Sequence, residues 1–213
     1  TGAPGWPDRC ERKAMIELPE SVSIFNVARG VRVRAQLVRL TRELAAKQID
    51  GTWWKIAVSQ ALRAEEGDTH WTWRKLAGKI RLDPTWDALA IQSASRNVEG
   101  AMTFRIDAKS QLETGHNVLY VDRLATAPRN RPSLVDPPKY KGMGSVLLLA
   151  AVRESYSLGL GGRVWLTALP SERTRQFYLK KGFQEIFTNE DGMIDFELPK
   201  NKAEQWLRQE GYL

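Results

Sequence analysis

Apolar and polar positions change period several times along this chain, and each change marks an expected element. Val22, Ile24 and Val27 suggest a short first strand. From Val31 the set Val33, Leu37, Leu40 and Leu44 recurs at helical spacing and leaves Arg34, Arg42 and Lys47 for the other side, which predicts a first helix ending before Asp50-Gly51. Trp54, Val58, Ala61 and Leu62 predict a second helix through Arg63, before Gly67-Asp68. A short third helix is expected after it, capped by Asp68 or Thr69 and stopped at Asp83-Pro84. Trp86 to Ile91 and Val98 to Ile106 then read as strands; in the second, Met102, Phe104 and Ile106 alternate with Thr103 and Arg105. Val118 to Thr126 continues the strand series.

The second half is punctuated more sharply. Met143 to about Leu158 is apolar nearly all round, which predicts a helix buried against a sheet and ended by Gly159. Val164 to Thr167 is a short buried strand. Ser171 to Lys181 has the layout of a helix, with Ser171 near its N-cap, Glu172 in its first turn and Gly182 just past its end. Two strands, Phe183 to Thr188 and Met193 to Leu198, flank the turn Asn189 to Gly192, and Asn201 to Gln209 forms a terminal helix.

A chain of 213 residues accommodates one full domain with a substantial core. Residues 1–20, with Gly2, Pro4, Gly5 and Pro7 at the start, are expected to be a flexible lead, and 21–213 the domain. No apolar run reaches the roughly 20 residues of a membrane span, and no secretory leader pattern is present. The single cysteine, Cys10, excludes an internal disulfide and fits the cytoplasm; with two histidines in the chain, no metal site is expected. A formal charge of +7 suits a polyanionic ligand or nucleic acid, and equally a merely soluble surface. The tryptophans Trp71, Trp73 and Trp86 fit a core better than a stacking wall.

The chemistry concentrates at Lys139-Tyr140-Lys141-Gly142-Met143-Gly144-Ser145, ahead of the apolar run. A helix N-terminus presents unpaired N–H groups and a partial positive charge, glycines let a ligand approach the backbone, and the lysines add charge. This is a candidate phosphate cradle.

Three stretches in order resemble the GNAT superfamily of acyl-CoA-dependent N-acyltransferases: Leu124-Ala-Thr126-Ala-Pro128, Lys139-x-x-Gly142-x-Gly144, and Phe177-Tyr178-Leu-Lys-Lys-Gly182-Phe183. The chain departs from the family pattern in having lysine at 139, threonine at 126 and a long proline-rich segment between Thr126 and Lys139. The resemblance implies an α+β fold: a single GNAT-like domain with a mixed, twisted central sheet flanked by helices, here with an extra C-terminal helix. It implies an enzyme, an N-acetyltransferase using acetyl-CoA or another acyl-CoA as co-substrate and no metal. The backbone of Lys141, Gly142, Met143, Gly144 and Ser145, with Lys139 beside it, would hold the pyrophosphate. Leu124, Ala125 and Thr126 would line the pantetheine arm, and Tyr178 would protonate the departing thiolate.

For the base, Asp122 shares a strand face with Leu124 by alternation, with Glu99, Asp107 and His116 as alternatives. The acceptor is an amine of unspecified type, with nucleic acid possible and oligomeric state open. A catalytically silent acyl-CoA-binding or protein-interaction module, and a transferase acting on tRNA-linked substrates, are the competing readings. The proline-rich segment is expected to be an extended arm whose Arg129 and Arg131 either face substrate or decorate a surface loop.

Overall fold

The computed structural model describes residues 16–213. Nine strands form one sheet in the order β6-β1-β2-β3-β4-β5-β7-β9-β8. Strands β1 (Glu20–Asn26), β2 (Val31–Arg39), β3 (Trp86–Ser93), β4 (Val98–Lys109) and β5 (Asn117–Thr126) run as an antiparallel meander. β7 (Val164–Ala168) pairs parallel with β5, and β9 (Ile194–Leu198) and β8 (Gln184–Thr188) complete that end; β6 (Tyr140–Lys141) pairs with β1 at the other. The sheet is mixed and open, and the architecture is α+β, as expected. Ile16 is buried in the core, while the rest of the expected lead lies largely outside the described residues.

The first predicted helix is corrected. Val31 to Arg39 is strand β2, and helix α1 (Arg42–Ala45) begins only after Thr41, whose hydroxyl caps it by accepting from the Leu44 N–H at 3.1 Å. The same residues carry two periods. Val33, Ala35 and Leu37 alternate with Arg32, Arg34 and Gln36, and once β1 and the turn at Gly30 offer a partner edge, the period of two prevails. The second helix is reduced to a turn at Trp53–Lys55 and the short α2 (Gln60–Ala64). Helix α3 (Trp73–Gly78) starts later than predicted. Asp50, distant in sequence, caps it by accepting from Trp73 N at 2.8 Å and Arg74 N at 3.0 Å, and Asp68 is used elsewhere.

Two cores sandwich the sheet. On one face α4 (Met143–Ser155), α5 (Glu172–Leu179) and α6 (Lys200–Gln209) enclose Met102, Phe104, Leu119, Leu147, Leu166 and Phe196. On the other, α1 and α3 bury Leu40, Ile49, Ala88, Ala90 and Ala101 with Trp53 and Trp73. These two tryptophans are core residues, stacked edge to face at 5.8 Å, with Trp53 Nε1 donating to the Val98 carbonyl. Helix α4 lies so close to β4 that a Cβ on Gly100 would sit 3.2 Å from Met143 Cβ and 3.3 Å from Leu147 Cδ1, so Gly100 fixes the depth at which α4 docks.

Candidate active site

The geometry of the site begins with a strand pair that stops early. β5 and β7 pair only at Leu119↔Val164, Tyr120↔Trp165 and Val121↔Leu166. β5 then continues through Asp122 to Thr126 with no partner strand on that side, and the two strands part. The gap opens into a cleft of about 620 Å³. One wall is β5 itself, from Tyr120 to Thr126; another is the end of β7 with Thr174 and Tyr178 of α5; the third is the loop between α2 and α3, through Glu66, Gly67, Asp68 and Trp71. The roof is a contact: a Cβ on Gly67 would lie 3.4 Å from Leu169 Cδ1, so the α2–α3 loop rests on the turn that follows β7.

At Asp122 the ladder slips. Thr103 pairs with Arg123 and Phe104 with Val121, leaving Asp122 without an opposite residue on β4. This bulge interrupts the strict alternation expected through Asp122 and Leu124, and successive residues line the cleft instead. The carboxylate of Asp122 accepts from Arg123 Nη1 at 3.2 Å on one oxygen and from Thr103 Oγ1 at 3.4 Å on the other.

Tyr178 is buried in an aromatic nest, its ring centroid 5.2 Å from Phe177, 5.5 Å from Phe183 and 5.1 Å from Phe196. Its hydroxyl has no hydrogen-bond partner among the described residues, and burial pushes its pKa up to about 12. It is therefore a neutral phenol over the whole physiological range.

The glycine stretch builds the start of α4 as a helix cap with no side chain in it. Gly142 adopts the left-handed conformation, φ +97° and ψ −8°, and no side chain caps the helix. The first turn holds no acidic residue, and a helix start leaves its first N–H groups without intrahelical partners. Lys139 and Lys141 flank it, both exposed. These residues do not line the cleft, yet the two sites meet at α5. A Cβ on Gly144 would lie 3.5 Å from Phe177 Cζ, and Phe177 immediately precedes Tyr178.

Searches by sequence return nothing: no family model and no curated protein matches this chain. Solved structures do match in shape. A structure described as a bacterial toxin superposes with a TM-score of 0.56 at 14% identity, covering 82% of this chain and 95% of that one. The KacTA–DNA complex gives 0.51 at 15%, covering 82% and 99%. A chimera of the Vibrio cholerae spermidine N-acetyltransferase SpeG with hSSAT gives 0.50 at 16%, covering 79% and 97%. This chain has the GNAT fold.

Within that fold the expected site residues separate into groups. Asp122, Leu124, Ala125, Thr126 and Tyr178 share the cleft, while Lys139 and Lys141 to Ser145 form the cap outside it. Of the alternative bases, Glu99 is fully buried and holds Arg129 Nε and Asn130 Nδ2, each at 2.9 Å. Asp107 pairs with Arg105 and His116 is exposed in the loop between β4 and β5, both outside the cleft.

The proline-rich segment is neither extended nor loose. It folds through a turn at Pro128–Asn130 and is strapped down at both arginines. Arg129 also donates to the Val98 carbonyl at 2.9 Å. Arg131 is buried and places its donors on the Thr126 carbonyl (2.7 and 2.8 Å), on Glu66 (2.6 Å) and on both oxygens of Asp68. Burial works against its charge, but the bonds and charges of Asp68 and then Glu66 outweigh burial and raise its pKa. This network, which ties the α2–α3 wall to the end of β5, escapes sequence reasoning because its members lie more than 60 residues apart.

Proposed function

We propose that this chain is an acyl-CoA-dependent N-acyltransferase, with residues 21–213 as one catalytic domain and acetyl-CoA as its donor. The observation that carries the reading is the parting of β5 from β7 beside a side-chain-free helix N-terminus, with a buried, unpartnered phenol between them. The N–H groups of Met143, Gly144 and Ser145 bind the donor's pyrophosphate, helped by Lys139 and Lys141. The unpaired edge of β5 from Leu124 through Ala125 to Thr126 hydrogen-bonds the extended pantetheine arm, which leaves the thioester beside Tyr178. An amine drawn in by Asp122 attacks the carbonyl carbon, the tetrahedral intermediate collapses, and Tyr178 delivers its proton to the departing sulfur.

The fold alone is compatible with many activities, so the reading rests on the site. Calorimetric titration with acetyl-CoA and CoA tests the donor half. Thiol release in the presence of polyamines, lysine peptides and amino acids tests the transfer. Binding without thiol release from any of these makes the chain an acyl-CoA-binding module; no binding at all removes both halves of the reading.

A further inference from the structure

One hydrogen-bond chain leads out of the cleft and ends on a buried carboxylate. Tyr120 on β5 and Thr167 on β7 both line the cleft, where the two strands part. Tyr120 Oη lies 3.3 Å from Thr167 Oγ1, and Thr167 Oγ1 hydrogen-bonds Asp195 Oδ1 on β9. A threonine hydroxyl has one proton, and that of Thr167 goes to the Asp195 carboxylate. The direction is thereby fixed: Tyr120 donates to Thr167, which donates to Asp195. Asp195 is 6% exposed and does not line the cleft itself.

The surroundings suit a proton path. The sheet face carrying Arg105, Tyr120, Trp165, Thr167, Asp195 and Glu197 follows from the registers Arg105↔Tyr120↔Trp165↔Glu197 and Thr167↔Asp195. The charged neighbours on that face are Glu197, engaged away from the relay, and the Arg105–Asp107 pair, whose guanidinium covers the Tyr120 ring. Glu197 accepts from Ser110 Oγ and from Gln111 N, Arg105 lies 5.2 Å over the Tyr120 ring, and Asp107 pairs with Arg105. From β8 the residue opposite Asp195 is Phe187, which does not titrate. Asp122, by contrast, already accepts a hydrogen bond on each oxygen.

We propose that Tyr120, Thr167 and Asp195 form a relay that takes the proton from the incoming ammonium, resting on the acyltransferase reading above. An alkylammonium docked against Tyr120 gives its proton to the phenol oxygen. The phenol proton moves to Thr167 Oγ1 and the threonine proton to Asp195. The amine is left neutral with a free lone pair, Asp195 is left as the neutral acid, and both hydroxyls keep one proton each. After attack, Tyr178 gives its proton to the departing sulfur and takes up the second N–H proton in its place through water in the cleft, and Asp195 returns the first proton to solvent through the reversed chain. Tyr120 is the group that touches substrate; Thr167 and Asp195 act through it.

The test uses an alkyl amine acceptor established by the thiol-release panel and follows kcat/KM from pH 6 to beyond the amine's own pKa, about 10. Thr167→Val keeps the shape and removes the hydroxyl. It should lose about 100-fold at pH 7, the span of a general base, with CoA affinity unchanged and a lower melting temperature, because buried Asp195 loses its donor. The deficit should close as the amine becomes neutral without help. Asp195→Asn should follow the same profile, and Thr167→Ser should regain most of the loss. Should Thr167→Val fold poorly, Tyr120→Phe breaks the chain at its cleft end. A deficit of equal size at every pH, or no deficit at pH 7, overturns the relay while leaving the acyltransferase standing. A native protein that releases no thiol with any amine overturns the acyltransferase, and the relay falls with it.

Discussion

Replacing Tyr178 by phenylalanine separates chemistry from architecture, because the structure fixes what the hydroxyl does for the fold. The ring fills the nest of Phe177, Phe183 and Phe196, and phenylalanine keeps that packing. No protein hydrogen bond is lost, since the hydroxyl makes none among the described residues. The variant should therefore be within about 1 kcal/mol of the native stability. Catalysis should suffer far more. A phenol raised to about 12 is a weak acid for a thiolate whose conjugate acid is near 8.5 in water. But the sulfur leaves into the same dry cleft, and the burial that lifts the phenol lifts the thiol with it. Removing the acid should lower kcat about 100-fold, roughly 2.7 kcal/mol, with donor affinity nearly unchanged. A pH series adds a second readout. Because the folded pKa lies above the unfolded value near 10, the unfolded chain releases the proton first, so native stability falls by roughly 1.4 kcal/mol per pH unit between about 10 and 12. That component should vanish in Tyr178→Phe. Unchanged kcat would show that the phenol only packs, and another proton source would be needed.

Gly144→Val should weaken CoA binding ten-fold or more by calorimetry while the protein stays folded, since the first Cβ meets Phe177 only at ordinary contact distance. Gly100→Ala should cost about 1 to 3 kcal/mol in urea denaturation, because α4 must retreat from β4. Arg131→Met leaves Asp68 and Glu66 without their partner and should destabilise by about 3 to 5 kcal/mol, with Arg131→Lys only a partial rescue; a loss below 1 kcal/mol would mean the strap is dispensable.

The start of α4 was legible because it is local: Gly-x-Gly ahead of an apolar run specifies a left-handed cap and a buried helix with no help from the rest of the chain. So were the strands from Trp86 onward, where one period dominates. The segment Val31 to Leu44 was misread because valine and leucine satisfy both periods over that window, and only pairing with β1, a long-range fact, separates them. The strap was misread for a related reason. Pro128, Pro132, Pro137 and Pro138 argue for extension, but the fold of this segment is imposed by Glu99 on β4 and by Glu66 and Asp68 in the α2–α3 loop. Asp195 was readable in principle. Ile194, Phe196 and Leu198 put their apolar side on one face of β9 and leave two carboxylates on the other, next to a face of β7 carrying Trp165 and Thr167. A strand that spends alternate positions on buried acids is signalling a polar interior, and that pattern was in the sequence.

The charges divide the site in a way that composition conceals. The chain as a whole carries +7, yet the charged residues lining the cleft are Glu66, Asp68, Asp122, Arg123 and Arg131, three carboxylates against two guanidiniums. Arg131 is wholly engaged by the strap, and Arg123 lies 5.1 Å from the Trp71 ring and bonds to Asp122. Among the described residues an anion therefore finds no free cation within the cleft, whereas an ammonium finds carboxylate oxygens and aromatic faces. Positive charge is presented outside it. Arg32, Phe25 and Lys141 stand opposite one another across β2, β1 and β6, so both cations share a face, and Lys141 immediately precedes the cap of α4. A ligand polyanionic at one end and neutral at its thioester end fits that division with its phosphates on the cap and its acyl group inside. The basic balance of the chain thus argues for how the donor is held, and the cleft, with its slight negative excess, argues for a cationic acceptor.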